Sequence, residues 1–317
     1  MLKACAKVDQ RGLFSIQKKA EKFIEGVDLK LPEKFHVKPL LAQARVIAKE
    51  LRDTLLKSHL ECWRSKPQHG AYLRLLEEHN LNVKHSLGWL HKVHLSRLSE
   101  SYACAAQELA LFTRFHEKHI VKSRQDDLCR VCKKQPETVF HILSGCDVLS
   151  KREYFTRHNN LCQYIHYEVM KHYGFACGSN WYVHQPRDVI LSKDIEIAYD
   201  QVIITDGPVG ANRPDILIRD KAKKITYIVD ISCPCDVNVG MKENEKIAKY
   251  GTLRKELIKM WSCDCIIIPV VVGGLGAVSN DAERYLKCLP GNAQMILCQK
   301  ITVLGSNRIL QSVLSRK

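Results

Sequence analysis

The segment RPDILIRDKAKKITYIVDIS, residues 213–232, constrains this chain more than any other. Two β-branched, apolar runs flank a short polar stretch, the pattern of two paired strands joined by a turn. A turn centred on Ala222 and Lys223 makes residues whose numbers sum to about 445 lie opposite one another in an antiparallel hairpin. Asp215 opens the first run, Asp230 lies within the second, and they satisfy that sum. The register therefore predicts two carboxylates facing each other, with Cβ atoms roughly 5 Å apart.

Two carboxylates that close repel one another unless a cation lies between them. Hard oxygen ligands favour Mg²⁺ or Mn²⁺, which can acidify a water and stabilise charge on a phosphate. The plain alternative is that Asp230 is solvated at a strand end. The apolar ITYIV directly before it speaks against that, because burying an unpaired charge is costly.

After the hairpin, Val239 to Trp261 reads as one long helical stretch. It is followed by CDCIIIPVVVGG, a continuous apolar strand ending in glycines. An apolar strand after a helix is the mark of a sheet covered on both faces. Lys242, Lys246, Lys249 and Leu253 share one helix stripe, at spacings of four, three and four. Such lysines usually form a solvated face; one aimed at the acid pair would instead orient a water or stabilise developing charge. YDQVIITD reads as a further strand, 281–289 as a short helix, and 292–304 as either strand or helix. GGLGA at 273–277 lacks the Lys-Ser/Thr of a phosphate loop and reads as a strand-end turn.

Upstream, CRVCKKQPETVFHILSGC sets Cys129, Cys132, His141 and Cys146 at C-x2-C-x8-H-x4-C. Two cysteines on one tight turn and a His/Cys pair from the next helix suit a closed, tetrahedral structural zinc site. Arg130, Lys133, Lys134, Lys151 and Arg152 surround it with positive charge suited to phosphates. The remaining thiols, including the C-x-C pairs Cys233/Cys235 and Cys263/Cys265, read as buried side chains.

Residues 1–120 read as helical. A stripe through Leu41, Val46, Leu51, Leu55 and Leu56 is followed by a break at Gly70 and a helix from Leu98 to about Ile120, with Ser99 and Ser101 as candidate caps. Trp63, Trp89 and Trp261 read as core rather than as stacking platforms. Net charge is +15; residues 1–160 hold 29 basic and 18 acidic residues, a net of +11, which suits a polyanionic partner such as nucleic acid. MLKACAKVDQRGLF has no apolar signal core, and no apolar run is long enough to span a bilayer, so no membrane partner and an intracellular chain are expected.

Taken together in order, these pieces resemble the restriction-like endonuclease and adjoining zinc module of non-LTR retrotransposons that insert at fixed genomic sites. The pieces are CRVC…HILSGC, then Arg157-His158-Asn159, RPD at 213–215, Asp230, EKIAKY at 245–250 and PVVVGGLGAV at 269–278. ESYACAAQELALFTR is similar to the helical region between polymerase and zinc module, and the resemblance covers roughly residues 85–317. It implies an α+β or α/β chain in three parts. These are a helical post-polymerase-like region over 1–120, a CCHC zinc module over 121–160, and a PD-(D/E)-x-K nuclease sandwich with a central mixed sheet over 161–317. It further implies that Asp215 and Asp230 hold Mg²⁺ or Mn²⁺, and that the protein nicks target DNA so that the freed 3′ hydroxyl primes reverse transcription of element RNA.

One departure is visible: the lysine usually found two residues after the second acid is Ser232 here. The family relocates that lysine to the helix, which makes Lys246 the first choice and Lys249 the second. Arg157, His158, Asn159, Arg213 and Tyr250 are expected at the nucleic acid, and the nucleus as the compartment. No paired-aspartate polymerase motif or palm-like region is present. The chain therefore reads as the tail of an element (a truncated copy, a separate gene or a host gene derived from one) that works with a polymerase supplied separately. The alternative is an inactive or domesticated remnant that binds nucleic acid through the zinc module and basic helices. Residues 1–84 match nothing recognisable.

Overall fold

The computed structural model describes residues 37–67 and 69–316. The expectations for the chain start, including the missing signal sequence, lie outside the described residues, as does the side chain of Leu41. Contacts divide the chain into two units at the junction between Gly70 and Ala71. The expected boundaries near 120 and 160 fall inside the second unit. In the first unit, the amphipathic stretch forms one helix, α1 (Val37–Arg64). Val46, Leu51, Leu55 and Leu56 of its apolar stripe are exposed.

The second unit is mixed α/β, built on a five-stranded sheet in sequential order: β1 (Val189–Leu191), β2 (Ile195–Tyr199), β3 (Ile216–Asp220), β4 (Ile225–Ser232) and β5 (Asp264–Val271). The first four strands pair antiparallel, and β5 lies parallel to β4. In the β3–β4 hairpin Ile216 faces Val229 and Asp220 faces Ile225, the register that the sum of 445 predicts. A parallel neighbour needs a crossover. It is supplied by α6 (Val239–Lys249) and α7 (Gly251–Trp261), one expected helix broken into two at Tyr250.

Strand alternation sorts the core into two layers. Ile216, Ile218, Val229 and Ile231 face α5 (Phe155–His172), α8 (Ala282–Cys288) and α9 (Met295–Leu314), meeting Leu161, Ile165, Leu286 and Cys298. Leu217 and Ile228 face the other way, onto Tyr250, Leu253 and Leu257. The helical region holds α2 (Ala71–Glu78), α3 (Val83–Gly88) and α4 (Arg97–Gln107), and a third cluster seats Trp89, Val93 and Ala103 of α4 against Val303 of α9. Trp89 is core, as expected.

Three local readings change. YDQVIITD is not a strand beyond Tyr199: Asp200 adopts φ 51°, and residues 201–205 form a loop with Ile204 85% exposed. The strands before β3 are instead β1 and β2, of only three and five residues. The helix expected from Leu98 to Ile120 stops at Gln107. Leu109 takes φ 52°, and a new turn starts at Thr113, whose hydroxyl accepts from His116 N. Its N-cap is Ser96, accepting from Ser99 N, rather than Ser99 or Ser101. Residues 295–314 settle as helix, and GGLGA as a turn in which Gly276 N donates to Gly273 O and the Asp236 carboxylate accepts from Leu275 N and Ala277 N. At Gly276, φ is 98° and a Cβ would stand 2.7 Å from Trp89 Nε1, so no larger residue fits.

Candidate functional site

At the end of the β3–β4 hairpin, Asp215 directly precedes β3, opposite Asp230 by continuation of the register. Its Oδ2 accepts from Ile231 N at 2.6 Å and lies 3.4 Å from His158 Nε2 on α5. Asp230 is 2% exposed, on the face of β4 that looks onto α6. A buried carboxylate needs compensation, and the helix supplies three groups. The Lys246 ammonium pairs with Asp230 Oδ2, Lys249 Nζ lies 3.5 Å from Oδ1, and the Tyr250 hydroxyl donates to Oδ1 at 2.7 Å. Lys249 in turn donates to the Tyr250 oxygen at 2.8 Å.

Four of the expected residues, Asp215, Asp230, Lys246 and Lys249, thus meet at one place. Spacing explains it: positions 246, 249 and 250 lie within one helical turn and present one face to β4. Lys242, the first residue of the same stripe, turns to Glu245 on the surface at 2.6 Å. Leu253, the last, is core.

The expected nucleic-acid residues divide. Arg213 is exposed and holds Asp200 through two nitrogens at 2.9 Å each. His158 and Asn159 are half-buried beside Asp215, joined at 3.2 Å through His158 Nδ1 and Asn159 Oδ1. Burial acts to lower the pKa of His158, but the hydrogen bond and charge of Asp215 outweigh it, so the imidazole is more basic than usual. Tyr250 is fully buried, with its ring in the core and its hydroxyl on Asp230, so it presents nothing to a ligand at the surface. Arg157 is a second correction. It is 2% exposed, and its guanidinium donates to Leu143 O at 2.8 Å, Cys233 O at 2.9 Å and Ser306 Oγ at 2.9 Å. It is committed to tying α5 to α9 and the end of β4, where no phosphate can reach it. Gly305 of α9 makes room for it, since a Cβ there would stand 2.7 Å from Arg157 Cγ.

The zinc-type cluster also forms. The ligating atoms of Cys129, Cys132, His141 and Cys146 all lie within 4.8 Å of one another, with His141 Nε2 3.3 Å from Cys132 Sγ. Three sulfurs and one imidazole at that spacing can hold a metal such as zinc, with ligands at about 2.0–2.3 Å from it. The surroundings are braced as a structural site needs. The Tyr154 oxygen lies 2.8 Å from Ile142 O and accepts from Cys146 N at 3.1 Å. Glu137, fully buried, pairs with Arg130 and accepts from Arg130 N and Arg114 N. Arg130 also donates to Leu314 O and Arg316 O, fastening the knuckle to the end of α9. The link from Arg130 to Leu314 and Arg316 was not visible in the sequence, because those partners lie 184 and 186 residues away.

Among the described residues no helix is long and apolar enough to cross a membrane. No protein-family model matches this chain, and no curated protein matches it.

Proposed function

We propose that this protein is a metal-dependent DNA endonuclease of the PD-(D/E)-x-K type, carrying a zinc module and serving target-site insertion of a non-LTR retrotransposon. The observation that carries the reading is the meeting of Asp215, Asp230 and Lys246. An acid pair sits across a hairpin, and the lysine absent at Ser232 is replaced from the facing helix. The antiparallel hairpin, the crossover helices and the parallel β5 support the reading, since they bring the lysines of α6 over Asp230.

The donor chemistry fits a hard divalent ion. Both acids offer oxygen, and Asp230 Oδ2 is buried against one ammonium with no well-angled hydrogen bond of its own. When bound, Mg²⁺ or Mn²⁺ supplies an activated water and charge neutralisation at the phosphate. The chain's own residues do the rest. Asp215 is oriented by Ile231 N, and Asp230 by Tyr250. Lys246 and Lys249 place positive charge where a pentavalent phosphate would gain negative charge. The zinc module, with Lys133, Lys134, Lys151 and Arg152 around it, and the exposed Arg213 supply contacts to the nucleic-acid backbone. DNA is the proposed substrate, element RNA and a separate polymerase the proposed partners, and the nucleus the proposed compartment.

The test is nicking of supercoiled plasmid in Mg²⁺ or Mn²⁺, beside an Asp215→Ala/Asp230→Ala double variant and an EDTA control. Metal-dependent nicking that disappears in the variant is expected. Nicking that survives in it would sink the assignment. DNA binding with steep salt dependence and no cleavage would favour an inactive nucleic-acid-binding remnant instead.

A further inference from the structure

His158 and Cys162 are four residues apart on α5, which places both side chains on one helix face, and Asp215 arrives from the start of β3. Their polar atoms converge. Cys162 Sγ is 3.5 Å from His158 Nδ1 and 3.7 Å from Nε2, and Nε2 is 3.4 Å from Asp215 Oδ2. The three ligating atoms lie within 4.8 Å of one another. A tetrahedral ion with ligands at about 2.0–2.3 Å sets neighbouring ligand atoms about 3.3–3.7 Å apart. The separations from Nε2 to sulfur and to oxygen both fall in that range.

We propose that His158, Cys162 and Asp215 form a second metal site, for a borderline ion such as Zn²⁺, with three protein ligands and an open fourth position. The donor set decides the ion, since imidazole and thiolate suit zinc and do not suit magnesium. His158 Nδ1 lies 3.2 Å from Asn159 Oδ1, while Nε2 lies 3.2 Å from Ile231 O and 3.4 Å from Asp215 Oδ2; an ion at Nε2 would displace the proton shared with those oxygens, with Nδ1–H held by Asn159. Asp215 Oδ2 is steadied by Ile231 N at 2.6 Å. The His158 and Asp215 side chains keep 28% and 20% of their surface open to solvent, whereas Cys162 forms the buried floor at 1%. The open side gives an ion a way in, in contrast to the four-ligand knuckle, whose Cys129 and Cys146 are buried. This gives Arg157-His158-Asn159 a division of labour: Arg157 anchors the helix, His158 is the ligand and Asn159 orients it. The site does not depend on the nuclease reading.

The test is zinc stoichiometry by native mass spectrometry on the full chain equilibrated with zinc alone at a buffered micromolar concentration. Two zinc ions per chain are expected for the wild type, and one each for Cys162→Ser and His158→Gln. Folding is checked by circular dichroism. Should the buried Cys162→Ser fail to fold, the half-buried His158→Gln decides. Asp230→Ala removes a residue essential to the proposed nicking but no zinc ligand, so it keeps two ions, and the two ideas fail separately. One zinc in the wild type, or two in His158→Gln, would overturn the second site.

Discussion

The Tyr250 hydroxyl reaches Asp230 Oδ1 across 2.7 Å, and both groups are shut off from solvent. The ring packs with Leu217, Ile228, Leu253 and Leu257, so the hydroxyl can be removed without emptying the core. Tyr250→Phe leaves the ring and deletes the hydrogen bond to a buried carboxylate, worth about 1.5–3 kcal/mol, together with the one accepted from the half-exposed Lys249. Denaturant unfolding should show a loss of that size with unchanged m-value. A loss below about 0.5 kcal/mol would mean that this hydrogen bond does not hold Asp230.

Lys246 and Lys249 both approach Asp230, but not equally. The Lys246 side chain is 16% exposed and makes the closer ion pair, whereas Lys249 is 39% exposed and shares its ammonium with the Tyr250 oxygen. On the proposed nuclease reading, Lys246→Ala should lower single-turnover cleavage by roughly 10²–10³-fold, the usual cost of a preorganised charge-stabilising donor. Lys249→Ala should cost less. Reversal of that order would move the catalytic role to Lys249.

Much of this site was legible in the sequence because its logic is local. Two β-branched runs around a six-residue polar stretch fix a register, and the register sets Asp215 against Asp230. A one-residue slip would have put the two acids on opposite faces of the sheet. Lysines at helical spacing after the hairpin supply the third component. What stayed hidden is long-range. Arg157 reads as a surface cation, because charged side chains are rarely buried. Its partners, Leu143, Cys233 and Ser306, lie up to 149 residues away. Tyr250 reads as an exposed contact for the same reason, since nothing in EKIAKY says that the chain turns there and buries the ring. β1 and β2 were missed because residues 201–205 carry the stronger β-branched signal, yet that segment follows a left-handed Asp200 and is held as a loop, with Ile203 N donating to Asn212 O.

Arg157 gives the cysteine–histidine knuckle a mechanical link to the sheet. Its NH2 nitrogen spans from Leu143 O, in the knuckle's second half, to Cys233 O just past β4. Arg157→Met keeps the bulk and strands buried carbonyls, which should cost roughly 2–5 kcal/mol. Gly305→Ala should destabilise as well, by forcing Arg157 aside. Equilibrium unfolding within about 1 kcal/mol of wild type in Arg157→Met would show that the guanidinium adds nothing beyond its bulk.

Filling of the knuckle should stabilise the whole second unit, because Arg130 carries the connection to Leu314 O and Arg316 O. Burial pushes the Cys129 thiol up to about 11, against opposing hydrogen bonds from Cys132 and Val131 N–H groups, so a bound cation has to hold the thiolate. Stripping zinc with a strong chelator should lower Tm and release the C-terminal end of α9 to proteolysis, and Cys129→Ser should reproduce both effects. A Tm indifferent to chelation would remove the structural role given to the cluster.

The pH dependence of stability should carry the signature of a buried histidine pair. His166 Nδ1 and His184 Nε2 are 2.7 Å apart in stacked rings, and both side chains are buried. Burial first, then the neighbouring His184 and Arg187, hold His166 at about 3, and the same burial and Arg187 lower His184. The unfolded imidazole takes its proton near pH 6.5, which the folded one refuses until far lower, so the contribution is intact above about pH 6.5 and is lost as pH falls toward 3. Each pH unit below 6.5 removes up to about 1.4 kcal/mol per such histidine. Glu108 acts in the opposite sense: burial raises it to about 7, against the charge of Arg74, so its contribution weakens as pH rises from 4.5 toward 7. The two slopes oppose each other between 4.5 and 6.5, and the wild-type curve alone does not separate them. His166→Gln removes one slope and leaves the other. The variant should start less stable at pH 7.5 yet lose roughly 1–2 kcal/mol less than wild type between pH 7 and pH 5. Parallel stability curves for the two proteins would mean that folding does not lower the proton affinity of His166, and that its burial beside His184 adds no pH dependence.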